Sequence, residues 1–323
     1  MTKSIEHPFE RALEVSDVDT DLSLHELGSL QWAEFILNPR RLRGSDFLMR
    51  WSQGVWSERR FVEAVNDTKE YFAEPYGPSG TAPTGDVRAF ELYFERLEKA
   101  GEAGQKRPDL LIFHDRNRRS VEKIIRDLGG SGELPFTSES DRAIKELLSL
   151  SFLAVECENS LWVAKQMPDF SKEFRPQRRL GGLPGLAKSA VLPTIIVKDE
   201  DMVPLSRWST RERPPLHIWH SFFDLAFGIS FKEIERLISE GYIQPTIQVF
   251  QAPGGASSSK AIYKVYYRYA YPLAETISEA ELIADKITDK NGHILPYVRF
   301  EGGSLRLSET AKDVMKKLAN TKR

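Results

Sequence analysis

A single cysteine, Cys157, is all that 323 residues contain. One thiol excludes an internal disulfide framework and any cysteine-rich zinc site, and it sets the expectation of a reducing cytoplasm. Long apolar runs are lacking too. No stretch is long enough to cross a bilayer, so no membrane partner is expected. The opening Met1-Thr2-Lys3-Ser4-Ile5-Glu6 lacks the basic-then-apolar pattern of a secretory leader. Charge of one sign is not in excess either. With 45 basic and 47 acidic side chains the net charge is −2, so affinity for nucleic acid has to be argued from where basic residues cluster, not from the total. The glycine cluster Gly129-Gly130-Ser131-Gly132 follows a helical pattern and has no Lys-Ser/Thr ending, which excludes a phosphate-cradling P-loop. His217 and His220 lie three apart on a strand-like run and face opposite sides of it, so they do not read as a metal pair.

What the chain does have is a pair of apolar runs of strand length, each with a carboxylate at one end. The first is Asp109-Leu110-Leu111-Ile112-Phe113. The second is Phe152-Leu153-Ala154-Val155-Glu156-Cys157-Glu158. Strand alternation puts Glu156 and Glu158 on one face and Cys157 on the other. If the two strands are neighbours, three carboxylates converge at one place on a sheet. Carboxylates so placed repel each other unless a hard cation such as Mg²⁺ joins them.

Around these runs the pattern alternates between helix and strand. Residues 1 to about 28 read as a polar, acidic lead-in. Leu30 to Phe72 reads as helical, with Trp51 and Trp56 as core residues and Arg40 to Arg43 in a basic turn between helices. A loop rich in proline and glycine covers residues 74–85, and a helix follows from Val87 to Ala100 with Phe90, Tyr93, Phe94 and Leu97 in its apolar stripe. Ser138 to Leu150 reads as a helix capped by Ser138 or Ser140. Leu161 to Met167 reads as the start of a helix that carries Lys165 back toward the carboxylates. Val191 to Val197 and His217 to Phe223 read as further strands. Phe231 to Gly241 reads as a short helix, and the runs 243–251 and 260–271 as a hairpin whose tyrosines pack within the strands. Ser308 to Arg323 reads as a basic, solvated terminal helix. The expected fold is α/β, a mixed central sheet flanked by helices. A helical stretch 1–86 and a helix-plus-hairpin stretch 231–323 flank a core at 87–230, with one continuous domain as the alternative.

Pro108-Asp109, followed on a later strand by Glu156-x-Glu158, resembles the PD-(D/E)xK nuclease signature. Asn159-Ser160-Leu161-Trp162 and Ser221 to Phe227 also resemble type II restriction endonucleases, of the AccI-like branch. A second Pro-Asp pair, Pro168-Asp169, has no Glu-x-Glu strand after it. The chain departs from the commonest pattern at Glu158, where lysine is usual. Some type II enzymes carry glutamate there and others bring the lysine from a nearby helix, which Lys165 would do here.

The resemblance implies Mg²⁺-dependent hydrolysis of phosphodiester bonds at a palindromic site in double-stranded DNA, by a homodimer in the bacterial cytoplasm as part of a restriction-modification system. It implies Asp109 and Glu156 as metal ligands, with Glu91 as an extra one. Glu158 would bind a second metal or act as general base, and Lys165 would polarise the water or steady the phosphate. Basic clusters lie at Arg116 to Arg119, Arg175 to Arg179 and Arg207 to Arg213. Of these, the segment Lys172 to Lys188 is the expected DNA contact, through Arg175, Arg178, Arg179 and Lys188. Two rival readings remain open on residues alone: a DNA-binding protein on the same scaffold without catalysis, and carboxylates that merely pair with surface arginines.

Overall fold

The computed structural model describes residues 45–84, 87–101, 106–187, 189–212, 214–251, 257–288 and 292–321. The acidic lead-in and the basic turn at Arg40 to Arg43 lie outside the described residues, as does Lys188. Ser45–Arg323 form one compact unit.

The chain begins with the long helix α1 (Ser45–Asn66), then the strand β1 (Tyr71–Pro75), the helix α2 (Val87–Gly101) and the strand β2 (Leu110–His114). Next come α3 (Arg118–Asp127), α4 (Arg142–Leu150) and β3 (Ser151–Asn159). A small ribbon of β4 (Arg175–Pro176) and β5 (Pro184–Gly185) precedes β6 (Thr194–Lys198), α5 (Asp199–Arg211), β7 (Leu216–Ser221), β8 (Leu225–Ser230) and α6 (Phe231–Ser239). The last elements are β9 (Pro245–Gln251), β10 (Ser257–Tyr266), β11 (Tyr271–Thr288), β12 (Ile294–Leu307) and α7 (Glu309–Thr321).

Among the described residues, seven strands form the main sheet in the order β1-β2-β3-β7-β8-β11-β12, and β6-β10-β9 form a second sheet. The main sheet is mixed: β3 and β7 are parallel, and its other neighbours are antiparallel. The α5 crossover lies between the two parallel strands, as a parallel pair requires. Alternation along β2 shows how the layers form. Leu111 and Phe113 join a core with Val121 of α3, Ile144 and Leu147 of α4, Trp208 of α5 and Ile234 of α6. Leu110 and Ile112 face the other way, onto Phe61 and Val65 of α1 and Met315 of α7. Helices therefore cover both faces, as the apolar runs require. The sheet takes strands from before residue 87 and after residue 230 as well as from between.

Several elements differ from the sequence reading. Tyr71 and Phe72 belong to β1, not to a helix, because cross-strand pairing with β2 (Phe72 opposite Phe113) captures them. The cap of α4 is Asp141, whose carboxylate accepts from the backbone N of Ala143, and not Ser138 or Ser140. Residues 161–167 form only the 3₁₀ turn Ala164–Gln166. The β6 strand lies in the second sheet. Beyond Tyr271, β11 and β12 pair as long antiparallel strands that no sequence pattern singles out. The terminal helix is no solvated end: Ala311, Met315 and Ala319, on one face of α7, are buried against the sheet.

That packing is measurable. We expect Met315→Ala to lower the unfolding free energy by about 2–4 kcal/mol in a urea titration. A change within about 0.5 kcal/mol, as for a solvated surface, would contradict the packing of α7.

Candidate active site

Register brings the acids together. Leu110 pairs with Val155, which carries Asp109 alongside the end of β3, and the backbone N of Cys157 donates to Asp109 Oδ2 at 2.7 Å. The loop after β1 closes over the same residue: the backbone N of Tyr76 and of Gly77 both donate to the Asp109 carbonyl. A Cβ on Gly77 would lie 2.9 Å from Asp109 Cα, so only glycine permits this approach. Asp109, Glu156, Cys157, Glu158 and Asn159 line a cavity of about 620 Å³ at this end of the sheet.

Four further groups complete it. Glu58 projects from α1 and is buried. A Cβ on Gly80 would lie 2.6 Å from Glu58 Oε2, so the loop fits tightly over this carboxylate too. Lys106, three residues ahead of Asp109, reaches Glu156 Oε1 at 2.6 Å and Asp201 Oδ2 at 2.8 Å. Lys198, the last residue of β6, stands 4.0 Å from Glu158 and 3.8 Å from Asp201. Of the five carboxylates gathered here, Glu156, Glu158 and Asp201 pair with the two ammonium groups.

The electrostatics follow from burial and crowding. Burial pushes the Glu58 carboxyl up to about 8, with repulsion from Glu156 adding to it. Burial raises Asp109 strongly, reinforced by Glu156 and Glu58 and opposed by the Cys157 N–H. Glu156 is also raised by burial, which outweighs the pull of Lys106. Glu158 rises to about 7 through burial, against the attraction of Lys198. Burial works against the charge of Lys106, but Glu156 and Asp201 overcome it and keep the ammonium protonated.

A buried network next to the site fixes one wall. Glu139 accepts from Trp208 Nε1 at 2.7 Å and Tyr76 O–H at 3.0 Å, and pairs with Arg107 and Arg211. Arg107, which also lines the cavity, donates to the Leu134 and Thr137 carbonyls.

No family model, curated protein or solved structure matches this chain.

The residues singled out in the sequence divide clearly. Asp109, Glu156 and Glu158 meet as expected. Glu91 does not join them, but pairs with Arg88 at 3.3 Å on α2. Lys165 does not reach the carboxylates: its turn is held by Asp224, which accepts from the backbone N of Ala164 and Lys165, and its side chain is exposed. The cavity's ammonium groups come from Lys106 and Lys198. Arg175 and Arg178 are exposed, one on β4 and the other in the turn after it. Arg179 donates to the Leu186 carbonyl and the Tyr266 hydroxyl, tying the ribbon to β10. His217 contacts the Tyr271 hydroxyl while His220 stacks on Phe222, so the two stand apart as expected. Asp169 of the second Pro-Asp pair ties two distant segments by accepting from the backbone N of Val191 at 2.6 Å.

Among the described residues, no three of His, Cys, Asp and Glu converge closely enough to ligate one ion as the side chains stand. The donor set nevertheless suits Mg²⁺, which is usually held by one or two carboxylates with water and substrate oxygens completing the shell. Oε2 of Glu58 and Oε2 of Glu156 are both buried without a hydrogen-bond partner. Such orphaned oxygens are costly unless something binds them.

A pH dependence follows. The folded-state value of Glu58, about 8, lies above its ordinary 4.5. The stability it contributes is therefore full below about 4.5 and lost as pH rises through about 8. In urea titrations without divalent metal, Glu58→Gln should gain on the parent protein from pH 5 to pH 8, by on the order of a few kcal/mol. Parallel curves for the two proteins would show that Glu58 is not under this strain.

Proposed function

We propose that the chain is a Mg²⁺-dependent nuclease that hydrolyses phosphodiester bonds in double-stranded DNA, a type II restriction endonuclease of the PD-(D/E)xK kind. The observation that carries this reading is the meeting of Asp109, Glu156 and Glu158 with Lys106 and Lys198 in one cavity at the end of two neighbouring strands. Acids and ammonium groups at that density suit a reaction in which negative charge builds on a phosphate and water must be activated. The wider reading, a homodimer acting on palindromic DNA in the bacterial cytoplasm within a restriction-modification system, rests on the sequence resemblance alone.

Asp109 and Glu156 would hold the metal, with the free oxygen of Glu58 beside them. When bound, Mg²⁺ supplies Lewis-acid stabilisation of the phosphoryl oxygens and makes water more acidic. Glu158, poised near neutrality, is matched to take a proton from the attacking water. Lys198, close to Glu158, offers its charge to the phosphate as the new bond forms. Lys106 clamps Glu156 and Asp201, fixing the carboxylate that faces Asp109. The lysine function that the resemblance gave to Lys165 passes to Lys198 in this mechanism.

Plasmid and phage DNA test the reading directly. Discrete fragments are expected with Mg²⁺ and none with EDTA. Asp109→Ala and Glu156→Ala should abolish cutting, and Lys198→Met should slow it roughly 10²- to 10⁴-fold. Lys165→Met should cut at the parental rate. DNA bound by the parent protein but never cut, with any divalent metal, would favour a non-catalytic DNA-binding protein on this scaffold. A protein that neither binds nor cuts DNA would overturn the proposal.

A further inference from the structure

The strand that carries Glu156 and Glu158 continues without a break into a turn with an unusual surface. Leu161 and Trp162 are 50% and 58% exposed, although both are large and apolar. The turn itself is firmly held. The backbone N of Ser160 donates to the Ser221 carbonyl, the Trp162 carbonyl accepts from the N of Phe223, and the Asp224 carboxylate takes two N–H groups. Ala164 is fully buried beneath it. An anchored backbone that presents an indole to solvent is a preorganised contact, because little freedom is left to lose on binding.

Beside the indole lies a separate hollow of about 430 Å³, lined by Ser160, Leu161, Trp162, Val163 and Gln166. It combines an aromatic plane with a hydroxyl and an exposed carboxamide. Trp162 is four residues from Glu158, at most about 14 Å along an extended chain. Asn159, between them, lines the carboxylate cavity.

We propose that this hollow receives one unstacked nucleobase of the nucleic acid held in the carboxylate cavity. Trp162 supplies the stacking plane, and Gln166 and Ser160 meet the polar edge of the base. The proposal rests on the nuclease reading. A carboxamide can pair with adenine N6 and N7 together, and an indole stacks on any base. A plain apolar patch for a protein partner would need neither the carboxamide nor the hollow. The substrate class is thereby narrowed to DNA in which a base near the scissile phosphate leaves its stack, through distortion of the duplex or because that position is single-stranded.

Trp162 is exposed, so its replacement should leave the fold intact, which circular dichroism and the melting curve would verify. Binding of random-sequence 30-mers, single-stranded and duplex, is measured in EDTA, and plasmid cleavage in Mg²⁺. Trp162→Ala should weaken single-strand binding roughly 10- to 100-fold. Trp162→Phe should restore most of it, and Trp162→Leu, apolar but not aromatic, should not. Gln166→Ala should change preference among homopolymers while leaving general affinity nearly intact. If the parent protein cuts DNA and Trp162→Ala binds and cuts equally well, this inference fails and the nuclease reading stands. If Trp162→Leu behaves as the parent, or Trp162→Ala alters only the sedimentation of the protein, the patch is an apolar docking site and the inference also fails. A parent protein that neither binds nor cuts removes the nuclease reading and the inference with it.

Discussion

Repulsion among buried carboxylates is the constraint on which this molecule turns. Glu58, Asp109, Glu156 and Glu158 are drawn into one cavity, where loss of hydration and mutual repulsion both disfavour their charged forms. An arrangement of this kind opposes folding and persists only when the surrounding structure compensates. Two lysines offset part of the cost, and Lys106 bridges two acids at once. The remainder is borne by the packing of two apolar cores on opposite faces of the sheet. Shifted carboxyls of this kind cluster at functional sites, which supports the proposed nuclease reading.

The fold supplies the groups from separate places. Two neighbouring strands present Asp109 and the Glu156-x-Glu158 pair. A helix on one face brings Glu58, and the second sheet ends on Lys198. The helix that follows it directs Asp201 toward both lysines. Glycines at 77 and 80 let a loop close against Asp109 and Glu58. The Glu139 network ties Arg107, which lines the cavity, to Tyr76 and Trp208 through an ion pair and two hydrogen bonds.

How far the sequence revealed this depends on how local each signal is. Asp109, Glu156 and Glu158 were legible because each closes an apolar run, and the alternation along β3 fixes which side chains share a face. The layered α/β arrangement was legible for the same reason. Glu58 was not singled out, although the signal was there: it lies three and seven residues before Phe61 and Val65, on the apolar side of α1. Lys198 closes the run Thr194-Ile195-Ile196-Val197 just as the carboxylates close theirs, but its place beside Glu158 depends on two sheets meeting. The helix expected to deliver Lys165 stops after one 3₁₀ turn, because Pro168 follows and cannot continue it, while Asp224, far along the chain, pins the turn's first N–H groups in place. In α7 the lysines suggested a solvated helix, while the small residues Ala311 and Ala319 gave a quieter sign of close packing. Long-range pairing decided each of these, and periodicity along one segment does not report it.

Proton release on metal binding tests the central claim most directly. In lightly buffered solution at pH 7, Mg²⁺ or Mn²⁺ is added to the protein without DNA while calorimetry and a pH indicator are read together. Carboxyls that hold protons because they are buried and crowded must lose them when a cation joins them. The account predicts saturable binding accompanied by proton release, both lost in Asp109→Asn. Absence of binding, or binding without release of protons, would contradict it.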